Sequence, residues 1–473
     1  MATVKMTYLS AAECAELAEQ AFTVLQEVGV IYNTAEALEL LAEAGAIVDR
    51  ETSLVRLPRE LVERCLAMAP RQVLLAARDP RNDVLVGGGA PLSITSDGTA
   101  TYVLDDDTGE RRGGTADDLR TIMRLFDALP EVDYVWPTIS ARDLDPVTAN
   151  LEIEAISLRS CSKHVQDEVR SPEYVEPLLD ILEAAAGAPM SERPIFSVIN
   201  CTIAPLMHDA EMTPASIALA RAGVPIVIMP MPLMGTTAPL SAAGVSIITL
   251  AEIASAVVLF QLAAPGCALI AAPEPALADL RGGLYLCATP EVSFANMACV
   301  DVLKSWGLPV QGEAFGGDGK APDFQDGLEG AFHSLLGALG GSDTLVGLGS
   351  VDGAQMTSLA TIVLHAEAAG MLKKLLEDTP FDAASTLLED IRAVGPGGHF
   401  LACRSTRQRA RDAWQPAVLR RGTFDSHRGT TLIEDALERA RHLLATHEVT
   451  PMADDVERHI DSVIAGFSAA ATA

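Results

Sequence analysis

The chain has 473 residues, 49% of them hydrophobic and 21% charged, so it can bury a large core and is not a disordered polymer. Its 64 Asp and Glu against 34 Lys and Arg leave a net charge of -30. That surplus repels phosphate backbones and anionic lipid, which excludes electrostatic binding of nucleic acid or a membrane surface as the default role.

In chain order, helical patterns at 10–27, 34–44 and 58–68, with Ser10 and Thr34 as caps, predict an N-terminal helical layer over 1–72. The pattern then changes to short β runs at 73–77, 84–86, 92–95 and 101–104, broken by Gly and Asp, which predict a small antiparallel β subdomain over 73–115. Thr115 caps a helix over 116–129. From 132 onward, β runs at 132–139, 164–169, 195–203, 225–232, 267–272, 310–315 and 344–348 alternate with helical patterns near 146–159, 172–186, 213–222, 240–264, 290–306, 324–339 and 356–377.

That alternation predicts parallel strands with crossover helices, and eight such units predict a TIM (β/α)8 barrel over 116–410. The eighth strand is open between 284–289 and a segment near 398–403. A doubly wound sheet is the alternative fold, but no GxGxxG or GxxxxGK[ST] follows any strand. Helices near 431–446 and 452–468 predict a C-terminal helical cap over 411–473.

Eight cysteines stand singly, with no CxxC pair and no zinc-type spacing, and read as reduced core thiols. No metal of the chain's own is expected. No secretory segment is visible at the N-terminus, and apolar runs such as 204–238 are broken before the roughly 20 residues that span a bilayer. A cytoplasmic protein is expected.

In a TIM barrel the chemistry sits where strands end. The predicted ends bring Trp136, His164, Asn200, Met229, Met231, Glu274, Glu313, Phe315 and Gly349 toward one mouth. Aromatic faces and carboxylates hold cations, so Trp136, Phe315 and Glu313 are candidates for a cationic substrate. His164 and Asn200 are candidates for a substrate carboxylate. Met229 and Met231 offer soft, polarisable walls for a cation or an apolar cofactor face. Lys163 and Lys320 lie near strand ends, which keeps a Schiff-base lyase open. The loop after 315 is rich in glycine and acid, with Asp323 as a helix cap and Gln325 and Glu329 one turn apart on the next helix.

The run Asp318-Gly-Lys-Ala-Pro-Asp-Phe-Gln-Asp-Gly-Leu-Glu329, followed by Gly347-Leu-Gly349 and by residues 359–371, resembles the trimethylamine methyltransferase family. Residues 105–119, Asn200 with Pro205, and Gly235-Thr-Thr-Ala-Pro239 extend the resemblance over nearly the whole chain. It implies a TIM barrel, a methylated amine as substrate and a separate corrinoid protein whose cobalt(I) takes the methyl. Asp318, Gln325 and Glu329, which match the motif residue for residue, are the expected catalytic positions; Met229, Met231 and Gly349 are expected on the cofactor side.

Founding members carry pyrrolysine in the loop after the seventh strand, and the matching position here is Gly353. A neutral tertiary amine is a poor donor without an activating residue, whereas a quaternary nitrogen leaves as a neutral amine. The resemblance therefore implies a member without pyrrolysine, similar to glycine betaine methyltransferases, with Gly353 near the substrate. Tetrahydrofolate as direct acceptor and a non-catalytic betaine-binding protein are the other readings, and a homo-oligomer is expected.

Overall fold

Eight extended segments run parallel and side by side in the computed structural model, which describes residues 6–106, 108–427 and 429–471. They are β1 (Ser93–Ser96), the segment 134–135, β2 (Val165–Glu168), β3 (Phe196–Asn200), β4 (Ile226–Ile228), β5 (Leu269–Ala271), β6 (Gln311–Glu313) and β7 (Thr344–Leu348). Parallel ladders join β2 to β3, β3 to β4, β4 to β5, β6 to β7 and β7 to β1. Single parallel bridges, Thr95 to Tyr134, Val135 to Val165 and Ala271 to Val310, supply the remaining neighbours. The pairings lead from β1 round to β7 and back to β1.

A helix follows each segment: α1 (Ala116–Ala128), α2 (Ala149–Ser160), α3 (Val175–Ala186), α4 (Met212–Arg221), α5 (Ala242–Ala263), α6 (Pro290–Trp306), α7 (Phe324–Leu339) and α8 (Leu359–Leu376). The strands are short and buried on both faces, β4 and β7 at every residue, as aliphatic runs between two apolar layers must be. Helix starts are set by side-chain caps: Thr115 and Asp118 form a reciprocal capping box on α1, and Asp323 accepts from two backbone amides of α7.

The run at 92–95 belongs to this ring and not to an antiparallel subdomain, because it becomes β1 and pairs in parallel with β7. Neither expected candidate for the eighth strand joins the ring. Leu284–Leu286 pairs antiparallel with Ala276–Asp279 in a hairpin, and 398–403 holds only the short 3-10 turn Phe400–Ala402. The antiparallel pair Gln72–Leu75 and Val84–Gly87 packs Val73, Leu75 and Val86 against Tyr134, Ile199, Val227, Ile270 and Val346 in one interior cluster.

Helix α5 is apolar all round, 22 residues long with a mean hydropathy of 2.1, which is long and apolar enough to cross a membrane. Here 78% of its apolar window is buried inside the protein, under the N-terminal helices Ala11–Thr23, Ala35–Glu43 and Arg59–Met68. A helix without a polar face needs cover on every side, and this layer supplies it. Helices Leu432–Thr446 and Asp454–Ala471 lie across α1 and α8, and across α2 and α3.

Candidate functional site

The C-terminal ends of the ring segments surround a cavity of about 150 Å³. Each wall residue follows from where a strand stops. Asp97, Gly98 and Thr99 come directly after β1, and Trp136 follows the segment 134–135. Glu168 and Glu313 end β2 and β6; Met229 and Met231 follow β4, Glu274 follows β5, and Ser350 lies just beyond β7. Tyr285 and Cys287 enter from the hairpin that follows β5.

The wall thus carries four carboxylates, Asp97, Glu168, Glu274 and Glu313, beside one indole and one phenol. Among the described residues no Lys, Arg or His lines it. Burial disfavours the ionised form of each of these acids, and repulsion from a neighbouring carboxylate adds to it at Glu168, Glu274 and Glu313. Burial, then the charge of Asp97, pushes the Glu274 carboxyl up to about 8. Glu313 is pushed well above the usual carboxylate range by burial and then by Glu274, Asp97 and Asp318. Burial also raises Asp97 and Glu168, the latter with help from Asp167. One oxygen of Glu274 is buried with no hydrogen-bond partner.

Trp136 is fixed from two sides. Its indole N–H donates to Asp167 Oδ1 at 3.0 Å, and Asp167 lies beside Glu154 in a fully buried acid pair. Burial and then the neighbouring Asp167 raise Glu154 well above its ordinary value. On the other face Gly98 sits so close that a Cβ there would lie 1.9 Å from the indole ring.

Three of the expected residues act behind the wall. Asp318 accepts from the backbone N–H of Cys287 at 3.1 Å and of Ala288 at 3.3 Å, which ties the α7 loop to the hairpin that carries Tyr285. Glu329 accepts from the N–H of Asp318 at 2.8 Å and of Gly319 at 3.1 Å, and Gln325 donates to its other oxygen at 2.8 Å. Their side chains hold the loop whose Gly316 reaches the cavity, and Gln325 itself is exposed.

Of the other expected positions, Trp136, Met229, Met231 and Glu313 line the cavity. His164 does not. It precedes β2, at the opposite end from the mouth, with Nδ1 paired to the Ala76 carbonyl at 2.8 Å and Nε2 to Ser197 Oγ at 2.9 Å; burial lowers it to about 4, a neutral core imidazole. Asn200 donates to Ser216 Oγ at 3.0 Å behind β3. Phe315 is buried beside the His365 ring, its centroid 6.0 Å away, and its backbone carbonyl lies against Gly330. Gly349 packs against Ile362 and Phe126, away from the cavity, with its N–H donating to His365 Nδ1. Gly353 adjoins the Tyr285 ring at the mouth, and its neighbour Ala354 lines the cavity.

Neither lysine suits imine chemistry. Lys163 Nζ donates to three backbone carbonyls, of Phe126, Leu129 and Val132, at 2.6 to 2.7 Å, and Lys320 is an exposed partner of Asp352. Asp97, Gly98, Tyr285 and Cys287 were not legible as site residues. Ser-Asp-Gly reads as a turn, and the Tyr285 run reads as a strand. Glu168 and Glu274 stood at predicted strand ends, and that position was the signal. No group of three or more His, Cys, Asp or Glu among the described residues has a metal-holding arrangement.

The profile of the family described as trimethylamine methyltransferase matches residues 2–469. A trimethylamine methyltransferase of Methanosarcina barkeri is 28% identical over 450 residues, covering 93% of this chain and 91% of that one. A glycine betaine methyltransferase of Desulfitobacterium hafniense is 27% identical over 470 residues, covering 98% and 97%. Among solved structures, the crystal structure of the hydroxylamine MtmB complex superposes with a TM-score of 0.51 at 15% identity, covering 91% of this chain and 92% of that one.

Proposed function

The chain belongs to the trimethylamine methyltransferase family and is a methyltransferase, and we propose that it takes its methyl from a quaternary ammonium compound held in the cavity at the strand ends. The observation that carries this reading is the wall itself. Four carboxylates, Glu313 buried and Asp97, Glu168 and Glu274 half-buried, surround the space with an indole and a phenol, and among the described residues no basic side chain lines it, which suits a permanent cation. The same reading takes the ring of eight parallel segments, each with its helix, as a TIM barrel with its chemistry at the C-terminal face.

The chemistry asks little of the protein beyond placement. The carbon–nitrogen bond breaks with its electron pair going to nitrogen, a neutral tertiary amine leaves, and the methyl bonds to the acceptor's nucleophilic atom. A positively charged nitrogen needs no further activation, and the chain places Gly353, with no side chain, beside Tyr285 where the resemblance puts pyrrolysine. The carboxylates bind the cation, Trp136 sets its depth, and the buried wall excludes water from the reacting methyl.

A corrinoid carried by a separate protein would supply a cobalt(I) nucleophile at the open side of the cavity. Met229 and the 41% exposed Met231 offer that side an apolar, polarisable wall. Tetrahydrofolate as acceptor asks for the same cation site. The lyase reading has lost its two lysines to carbonyls and to Asp352.

The test supplies purified protein with cob(I)alamin and, in turn, choline, tetramethylammonium, glycine betaine, carnitine and trimethylamine, following methylcobalamin by absorbance. Turnover of a quaternary compound without turnover of trimethylamine is the expected result. Turnover of trimethylamine with none on any quaternary compound would overturn the reading, and binding of a quaternary compound with no product would leave a binding protein.

A further inference from the structure

We infer that the cavity selects quaternary ammonium compounds that carry no carboxylate, such as a trimethylammonium alcohol or a tetraalkylammonium ion, over zwitterionic betaines. The inference rests on the quaternary-amine reading above and names the substrate class within it.

A betaine must seat two opposite charges close together. In glycine betaine a single methylene separates nitrogen from carboxylate, so a cavity of about 150 Å³ that takes the one takes the other. The site offers the second charge no counterpart. Asp97, Glu168, Glu274 and Glu313 face inward from four different strand ends, so turning the ligand moves its carboxylate from one acid toward another.

The basic groups around the mouth stand off the cavity: the charge of the exposed Arg170, two residues beyond Glu168, reaches that acid, but Arg170 does not line the space. Lys320 pairs with Asp352, Arg111 reaches the same carboxylate at 4.0 Å, and the guanidiniums of Arg111 and Arg142 lie over the Tyr102 ring. His164, the side chain expected to receive a carboxylate, is at the far end of the ring.

A protonated wall acid is a poor donor for a substrate carboxylate here. Each proton retained for that purpose removes a negative charge that the ammonium needs in the same small space, so the two demands oppose each other. An alcohol raises no such conflict. Its hydroxyl donates to a wall carboxylate, and the wall is free to ionise around the cation.

The experiment is calorimetric titration of the full chain at pH 8 with tetramethylammonium, choline, glycine betaine and carnitine, with no corrinoid present. Choline and tetramethylammonium should bind at least about tenfold more tightly than glycine betaine, the scale on which an unanswered like charge discriminates between ligands. Glu274→Gln should narrow the gap from both sides, weakening choline and strengthening glycine betaine, and Asp97→Asn should do the same, each checked for an unchanged melting profile. Glycine betaine binding as tightly as choline, or equal weakening of both ligands in the two folded variants, would overturn the inference and leave the quaternary-amine reading standing. Failure of all four ligands to bind would overturn both.

Discussion

Glu274 shows how far a single residue can set the behaviour of the site. Its carboxyl stands at about 8 because it is buried and faces Asp97, and Glu313, Tyr285 and Cys201 feel its charge in turn. Raised above its unfolded value of 4.5, this group favours the folded state while protonated. Its contribution is complete below about 4.5 and declines as pH rises toward 8, because the unfolded chain there binds fewer protons than the folded one. A bound cation reverses the balance by favouring the ionised form. The expected outcome is that the rise in melting temperature produced by tetramethylammonium grows from pH 6 to pH 8.5, with Glu274→Gln flattening the profile. A rise that is larger at pH 6 would show that the cation does not meet this acid.

At Trp136 the controlling contact is a single hydrogen bond to Asp167. Asp167→Leu strands a buried indole N–H, which should cost about 1–3 kcal/mol in stability. It should also raise KM for the cation more than it lowers kcat, since the indole sets binding and not the bond change. Asp167→Asn, which keeps an acceptor, should recover most of both. Denaturant melts and steady-state kinetics on the two variants separate a positioning role from a purely structural one.

At the scale of elements, the loop before α7 and the hairpin after β5 are one unit, because Asp318 bonds the hairpin's amides while Glu329 bonds the loop's own. Glu329→Ala frees two amides at once. It should lower the melting temperature and turnover together, whereas Gln325→Ala, which removes one exposed partner of Glu329, should change each only slightly. Equal effects of the two substitutions would show that the loop is held by its glycines and not by these bonds.

The motif that spans these residues was visible in the sequence, and so were the bounds of α6, α7 and β7, which the alternation and, for α7, the cap Asp323 mark. Their roles were not visible. Spacing shows that Gln325 and Glu329 share a helix face, but only the folded loop shows that this face turns toward backbone amides and not toward the cavity. His164 failed for a different reason: it opens the predicted run 164–169, and only the C-terminal end of a barrel strand reaches the mouth, where Glu168 stands. β1 was hidden by its neighbours, since a four-residue strand among antiparallel pairs of like composition carries no mark that its partner lies some 250 residues further on, in β7.

The whole molecule depends on how it covers α5. An isolated ring of this kind shows its helices to solvent on their outer faces, and a helix there is expected to be amphipathic. α5 has no polar face, and Val257, Val258, Leu259 and Phe260 in succession are fully buried. The N-terminal helices and the pair formed by Val30–Tyr32 and Met207–His208 provide the cover, with Tyr32 donating its hydroxyl to the Ser255 carbonyl at 3.1 Å and stacking on His208. Removing residues 1–70 would expose this surface and would also remove the layer under which Glu252 lies, bonded to Thr202 and to the amide of Leu206. A chain beginning at residue 71 is therefore expected to keep its ring pattern of strands yet to associate through α5, with recovery in the soluble fraction falling sharply and dye binding to exposed apolar surface rising. Replacing Leu259, one turn beyond the Ser255 that bonds Tyr32, with Lys in the truncated chain should raise solubility, whereas the same change in the full chain should prevent folding by burying charge beneath the layer. A truncated chain that stays monomeric and binds no dye would show that α5 is covered by something other than the N-terminal layer.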